Sequence, residues 1–282
     1  MNKRSVTVIT IALALVLLGL FYYGLKHARG APVDIPDFER ARVEVPRLDA
    51  VIDLAEGIAP ELWASVPGQE IPLTYQAMVL PWPKRITPQT TVQAFHNGED
   101  IYFKMTWEDD TMDDVLTPAV FSDACAIMFP LSDNPPPSAL MMGFLIRSNI
   151  WHWKAVLDRE FWAEQPREDS SFSDYHFPFE EEEILSVSKA LPIAAADNLI
   201  AKRVSTVTRL EEHNIEARGV YDHDAGQWQV VLKSTLTSIH DEDGVTFLPG
   251  SLRHCAFAVF NGATGDRGGR KSISNWVELA IQ

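Results

Sequence analysis

A short run with aromatic, imidazole and amine side chains, NIWHWKA at 149–155, is the first place where the sequence suggests chemistry. In a strand the side chains alternate between two faces, so Trp151 and Trp153 would share one face while His152 and Lys154 share the other. His152 could then bind a metal or haem iron, transfer protons, or pack as a hydrogen-bonded histidine. A lone histidine opposite two tryptophans is more often a packing residue, but the run alone leaves these alternatives open.

A second candidate lies just upstream, where PPPSALMMGF places two methionines and a glycine after a proline run. The thioether of Met142, or of the adjacent Met141, can ligate haem iron and raise its reduction potential. Gly143 would let a porphyrin approach the backbone because it has no side chain. Two neighbouring methionines also fit ordinary core packing, which is the commoner use of this residue.

The motifs of the common enzyme classes are absent from the sequence. GxGxxG, the P-loop, HExxH, GxSxG and the CxxCH of c-type haem do not occur, and the histidines are scattered. Cys125 and Cys255 show no zinc or iron–sulfur spacing, and they could form a disulfide or stay as buried thiols. The run WEDDTMDD could hold calcium through Asp109, Asp110, Asp113 and Asp114, although an acidic surface turn is the more frequent use of such a run.

Charge and composition exclude one class of partner. The 282 residues are 46% hydrophobic, enough for a substantial core, and carry a formal net charge of -15. Binding to nucleic acid is not expected, because it needs a surplus of lysine and arginine. The negative charge suits a basic protein partner, and it also suits solubility alone.

The N-terminus predicts export. Residues 6–25 are uncharged and apolar, and as a helix they would span about 30 Å, the thickness of a bilayer core. We expect residues 1–30 to form an uncleaved membrane anchor, with Lys3 and Arg4 on the cytoplasmic side and the rest on the periplasmic side of the inner membrane. A signal peptide cleaved after the small residues ending at Ala31 is the alternative, and it would leave a periplasmic protein.

The remaining pattern predicts a mainly β fold, an antiparallel sandwich. AFHNGEDIYFKMTW indicates a hairpin with its turn at Asn97 and Gly98, because apolar and polar residues alternate beyond an Asn-Gly pair. Further strands are expected at 124–129, 149–155, 215–221, 228–236, 255–260 and 276–281. We expect a tether and irregular start at 31–74, the sandwich at 75–282, and a partly helical insertion at 157–209.

Three blocks of the sequence resemble a known family. AFHNGEDIYFKMTWED, MMGFLIRSNIWHWKA and CAFAVFNGATGDRGGRKSISNWVELAI, in this order, are similar to the haem b-binding gamma subunits of ethylbenzene dehydrogenase, dimethylsulfide dehydrogenase, selenate reductase and chlorate reductase. These complexes belong to the molybdopterin-dependent dimethylsulfoxide reductase family. The resemblance runs from about residue 77 to the C-terminus.

The resemblance implies a single haem b held between a methionine and a lysine. The methionine of the Met-Gly step is Met142 here, and the lysine before the last strand is Lys271, so His152 would not be a ligand. The free amine of a lysine binds iron, and burial favours that form because it lowers the pKa of the lysine. The implied cofactor-binding residues are Met142, Gly143, Trp151, Trp153, Arg270 and Lys271.

By resemblance, the chain would be an electron-transfer subunit and not an enzyme. It would pass electrons between a molybdopterin-containing catalytic subunit with its iron–sulfur subunit and a periplasmic cytochrome or the membrane pool. A basic c-type cytochrome would suit the acidic surface. The alternative is a non-redox sandwich resembling carbohydrate-binding modules, with calcium in the WEDDTMDD loop and exposed tryptophans that stack on sugar.

Overall fold

Alternating side chains and one tight turn build the central hairpin of the fold. In the computed structural model, Gln89–His96 and Asp100–Glu108 are paired antiparallel strands on either side of Asn97 and Gly98. The side-chain Oδ1 of Asn97 accepts hydrogen bonds from the backbone N–H groups of Glu99 and Asp100. Gly98 has φ +105°, which favours glycine, and the predicted hairpin is confirmed.

The structure describes residues 41–76, 80, 82, 85–117, 120–132, 135, 146–163, 192–202, 206–210, 214–240 and 242–282. Within these ranges the strands are β1 Arg42–Val45, β2 Gly68–Pro72, β3 Thr74–Tyr75, β4 Gln89–His96, β5 Asp100–Glu108, β6 Ala124–Pro130, β7 Ser148–Lys154, β8 Ala196–Ala201, β9 Val207–Arg209, β10 Glu216–Asp222, β11 Gln227–Thr235, β12 Leu252–Phe260, β13 Ser272–Ile273 and β14 Val277–Ile281. The helices are α1 Pro60–Trp63 and α2 Ala155–Phe161, with a 3-10 turn at Gly262–Thr264.

Two sheets make up the fold. The larger has the order β1-β14-β12-β6-β7-β8-β9, with β13 beside β12 and β3 beside β13. The smaller has the order β10-β11-β5-β4-β2. The β1–β14 pair is parallel, and the other pairs of the described strands are antiparallel. The predicted mainly β, sandwich-like architecture is therefore confirmed.

The core between the sheets is strongly aromatic. Trp153 lies edge-on to Trp107 and Trp228 of the smaller sheet, with ring centroids 6.2 and 5.1 Å apart. Trp151 contacts Phe103 in the same way, at 5.8 Å. All five rings are at most 3% exposed, so they exclude water from the space between the sheets.

The sandwich takes up more of the chain than the sequence indicated. It includes β1 and β2, which precede the boundary expected at residue 75, because Val43, Val45 and Ile71 pack into the core. In the expected insertion, α2 confirms a helix near residue 157. Residues 196–201, which also lie within the expected insertion, are not helical but form strand β8 of the larger sheet.

The two cysteines are free thiols, and both are fully buried. Cys125 pairs with Val259, whereas Cys255 precedes the Ala256–Met128 pair, so the cysteines are offset by four residues along β6 and β12. That offset is about 13 Å, beyond the reach of a disulfide. Within the described ranges no helix is long and apolar enough to cross a bilayer, and the expected anchor at 6–25 lies outside them.

Gly219 gives a test of the aromatic core. A Cβ added there would overlap the ring of Trp153, so we expect Gly219→Ala to lower the free energy of unfolding by about 1–3 kcal/mol through overpacking. Urea unfolding followed by tryptophan fluorescence measures the change. Val220→Ala, at the exposed neighbour, is the control and should stay within about 0.5 kcal/mol of the unmodified protein. Equal stabilities of the two variants would contradict the packing described here.

Candidate functional site

The larger sheet carries a second apolar cluster on its outer face, which points away from the smaller sheet. Residues of β6, β7 and β12 that alternate with the aromatic core residues form most of it, because successive side chains point to opposite faces. All members are buried. They are Ala124, Ala126, Met128, Ile150, Leu199, Ala201, Ala256, Ala258, Phe260, Ile273 and Trp276.

Alanines form the floor of this outer face. Ala126 lies directly opposite Ala258 across β6 and β12, and Ala124 and Ala256 are their diagonal neighbours. The methyl group of an alanine extends only a short distance from the backbone, so these four side chains project less far from the sheet than the ring of Phe260 beside them does. We call the four residues the alanine floor. The four alanines therefore form a flat patch of small apolar side chains on this face.

Lys271 lies beside the alanine floor. Ile273 pairs with Ala258, so residue 271 comes opposite Phe260, on the same face of the sheet as Ile273. The Nζ atom of Lys271 is 5.1 Å from the centroid of the Phe260 ring. Among the described residues no carboxylate forms an ion pair with this amine.

Burial of the amine lowers the pKa of Lys271 to about 8. The residue as a whole is only partly buried, so the effect comes from the apolar surroundings of the Nζ atom. At pH 7 roughly one molecule in ten would carry the free amine, compared with fewer than about one in a thousand for an exposed lysine. The lone pair that binds a metal ion is therefore available at low cost.

Arg270, the neighbour of Lys271, also has unused hydrogen-bonding capacity. Its Nη2 atom donates to the carbonyl oxygen of Thr264 at 3.3 Å. Its Nε atom is buried and has no hydrogen-bond partner in the described part of the chain. A buried donor without an acceptor is unfavourable, so this nitrogen could serve an anionic group of a ligand.

On the other side of the alanine floor lies a polar group of residues that the sequence did not reveal. The ring of His152 meets that of Phe260 at 5.2 Å, which is possible because only small residues of β6 stand between them. His152 also lies opposite Asp197 of β8. The Asp197 carboxylate pairs with Lys154 at 3.4 Å and with Arg209 at 2.8 Å.

The tryptophans of β7 belong to the core between the sheets and not to the face that carries Lys271. Trp151 and Trp153 share one face of the strand, as the sequence predicted, and His152 lies on the opposite face with the alanine floor. Phe260 and His152 are the aromatic side chains that share the face of Lys271. Met142 and Gly143 lie outside the described residues.

The acidic loop after β5 binds the chain's own donors. Asp123 accepts hydrogen bonds from the backbone N–H groups of Asp113 and Gly262 and from the indole N–H of Trp228. Asp109 accepts a hydrogen bond from the side-chain amide of Asn261. Burial raises the pKa of Asp109 to about 6 and that of Asp123 to about 7.

No three His, Cys, Asp or Glu side chains of the described residues are grouped to hold a metal ion, so the calcium site of the alternative hypothesis finds no support here.

A third buried carboxylate fixes the orientation of Trp153. The Oδ2 atom of Asp158 accepts hydrogen bonds from the indole N–H of Trp153 and from the backbone N–H of Gly219, both at 2.7 Å. It therefore connects α2 to both sheets. Burial raises the pKa of Asp158 to about 7, and the two hydrogen bonds and the charge of Arg218 oppose part of that rise.

Comparison with known proteins gives a family and one near full-length relative. The sequence model of the family described as ethylbenzene dehydrogenase matches residues 60–272. A protein of Haloferax mediterranei, named as a respiratory nitrate reductase heme subunit (ORF7), is 26% identical over 277 residues, which are 98% of this chain and 83% of that protein.

The solved structures that match are more distant. A carbohydrate-binding protein of Bacteroides uniformis matches with a TM-score of 0.47 and 9% identity, over 86% of this chain and 100% of its own. A family 9 carbohydrate-binding module of Caldicellulosiruptor kristjanssonii in complex with glucose matches with a TM-score of 0.39 and 12% identity, over 86% and 95%. At these TM-scores the likeness says nothing about the function of this chain.

Asp158 makes the stability of the protein depend on pH. Its folded-state pKa, about 7, lies above the ordinary value of 3.8, so the folded protein holds the proton more tightly than the unfolded chain does. The stability that this carboxyl contributes is therefore full below about pH 4 and is lost as the pH rises through about 7. Asp158→Asn keeps an oxygen acceptor but cannot lose a proton. We expect the free energy of unfolding of this variant, relative to that of the unmodified protein, to increase as the pH rises from 5 to 8.

Urea unfolding at several pH values measures this difference. Asp224→Asn, at an exposed turn residue, is the matched control and should leave the pH profile unchanged. A profile for Asp158→Asn that runs parallel to that of the unmodified protein would show that Asp158 titrates normally in the folded state.

Proposed function

Because the chain belongs to the ethylbenzene dehydrogenase family, we propose that it is the haem-binding, electron-transfer subunit of a molybdopterin-dependent oxidoreductase complex and not its catalytic subunit. The relative from Haloferax mediterranei, named as a heme subunit of a respiratory nitrate reductase, covers nearly the whole chain and supports this assignment. The observation that carries it is the position of the Lys271 amine, with which no described carboxylate forms an ion pair, beside the alanine floor on the outer face of the larger sheet.

The described residues on this face fit a haem. The alanine floor gives a flat apolar group room to lie against the sheet, and Phe260 borders it. Lys271 supplies a nitrogen ligand whose burial already favours the free amine. Arg270 supplies a donor for an acidic substituent at the edge of the group.

We assign Lys271 and Met142 as the two axial ligands of one haem b. Bound there, the haem would supply an iron centre that takes up and returns one electron. The proton of the Lys271 ammonium must leave for the lone pair to bind iron, and a pKa near 8 makes this loss easier. The sulfur of Met142 would favour the reduced state and so raise the reduction potential. The apolar neighbours of Lys271 exclude water from its amine.

The partners follow from this role. Electrons would pass between the molybdopterin-containing catalytic subunit, with its iron–sulfur subunit, and a periplasmic cytochrome or the membrane pool. The uncharged run at 6–25 would hold the chain on the periplasmic side of the inner membrane, or would be cleaved to leave a periplasmic protein. The net charge of -15 suits a basic c-type cytochrome as the soluble partner.

The ligand assignment predicts a spectroscopic change. We expect Lys271→Ala and Met142→Ala each to alter the reduced-minus-oxidised spectrum of the purified protein and to lower its haem content at least tenfold, because each variant loses one axial bond. Lys104→Ala is the matched control, since Lys104 is also a buried lysine but lies on β5 of the smaller sheet. Unchanged spectra and haem content in Lys271→Ala would exclude this lysine as a ligand.

The alanine floor gives an independent test of where the haem lies. We expect Ala258→Leu to reduce haem binding at least tenfold, because the larger side chain would fill the space above β12. Ala258→Ser keeps the volume nearly unchanged and should bind haem normally. Haem titration measures both variants, and circular dichroism with urea unfolding checks that they are folded. Full haem binding by a folded Ala258→Leu protein would show that the haem does not lie on this face.

A further inference from the structure

Exposed apolar residues gather at one end of the sandwich, the end where Lys271 lies. They come from the segment before β4 and from the loop after β5, and we call them the lysine-end surface. Two are highly exposed, Leu80 at 74% and Trp82 at 56%. The others are between 39% and 42% exposed. The six residues are Leu80, Trp82, Ile86, Met112, Val115 and Val120.

The two segments that form the lysine-end surface are neighbours in space. A guanidinium nitrogen of Arg85 lies 4.0 Å from a carboxylate oxygen of Asp110, which joins the first segment to the loop after β5. The same loop packs against the turn that precedes Lys271, because the guanidinium carbon of Arg267 lies 4.3 Å from the centroid of the Phe121 ring. Grouped apolar exposure of this kind marks a binding surface more often than scattered exposure does.

Covalent and hydrogen bonds connect this surface to the proposed iron ligand. Gln76 donates its backbone N–H to the carbonyl oxygen of Lys271 at 3.2 Å, and Tyr75 pairs with Ser272. The rings of Tyr75 and Trp82 are 5.7 Å apart. A path for electron transfer could therefore run from Lys271 through the hydrogen-bonded backbone of Gln76 and Tyr75 to the rings of Tyr75 and Trp82. The ring of Trp82 is the exposed end of this path.

Charge indicates which kind of partner this surface suits. Glu108, Asp110 and Asp224 are exposed at the same end of the sandwich, where β5 and β10 end and β11 begins. Arg85 and Arg267 are exposed there too, and Arg85 pairs with Asp110, so these three acidic and two basic side chains sum to a net charge of -1. With a net charge of -15 on the whole chain, a cationic protein would be attracted to this end.

We propose that the lysine-end surface is the docking site for a basic, single-electron carrier protein, which exchanges electrons with the haem from the Lys271 side. The inference rests on the proposed function, because it needs a haem bound at Lys271. A small apolar centre with acidic residues around it is typical of transient redox complexes, which bury less surface than permanent subunit interfaces do. The permanent iron–sulfur subunit would then contact another part of the chain.

Electron transfer from the whole complex tests this proposal. The complex is purified with its own catalytic and iron–sulfur subunits, reduced, and mixed in a stopped-flow instrument with a basic c-type cytochrome as the acceptor. We expect the double variant Leu80→Lys, Trp82→Ala to lower the second-order rate constant at least tenfold, with haem content and reduction potential unchanged, because it removes apolar contact area and adds a charge of the same sign as the partner's. For the unmodified complex, the rate constant should fall as salt is added, because salt screens the attraction between the partners.

Leu248→Lys is the matched control. Leu248 is 57% exposed and lies near the Leu252 end of β12, about 20 Å along the strand from the β13 contact. An unchanged rate constant in the double variant, or an equal fall in the control, would overturn the proposal. Loss of the catalytic and iron–sulfur subunits from the double variant, with normal electron transfer from its haem, would instead assign the surface to those subunits. If the unmodified protein contained no haem after purification, that result would contradict the proposed function itself.

Discussion

The structure depends on the burial of both faces of the larger sheet. In β6, β7 and β12, residues that point to the smaller sheet alternate with residues that point outward. Every residue of β6 is buried, and in β7 and β12 the outward positions are buried except at His152, Lys154, Leu252 and His254. Bulky rings fill the inner face and fix the distance between the sheets. On the outer face, small residues come together at Ala126 and Ala258, where the side chains occupy less volume than the rings of the inner face do.

The sequence predicted those parts of the fold in which burial differs between the two sides of a strand. The hairpin at Asn97 was predictable because alternation and turn chemistry agree there. Strand β8 was not, because all of its residues are buried and polar and apolar positions do not alternate. The first strands were missed because Val43 and Val45 stand in a segment rich in proline and acidic residues.

The candidate site was only partly readable from the sequence. Alternation showed that Trp151 and Trp153 share a face, but the pairing of strands was needed to show that this is the core face. The alanine floor left no signal, since alanine is common everywhere and only the register of β6 and β12 brings the four residues together. Lys271 was predicted through resemblance alone, because a lysine in a glycine-rich basic turn is usually a solvated loop residue.

The two thiols have a consequence for how the protein matures. Burial raises the pKa values of Cys125 and Cys255 well above the ordinary value, so each sulfur stays protonated and poorly nucleophilic. With the sulfurs about 13 Å apart along the sheet, no oxidant can join them without unfolding the sandwich. The native state therefore holds no disulfide between these two cysteines, and no such bond contributes to the stability of the sandwich.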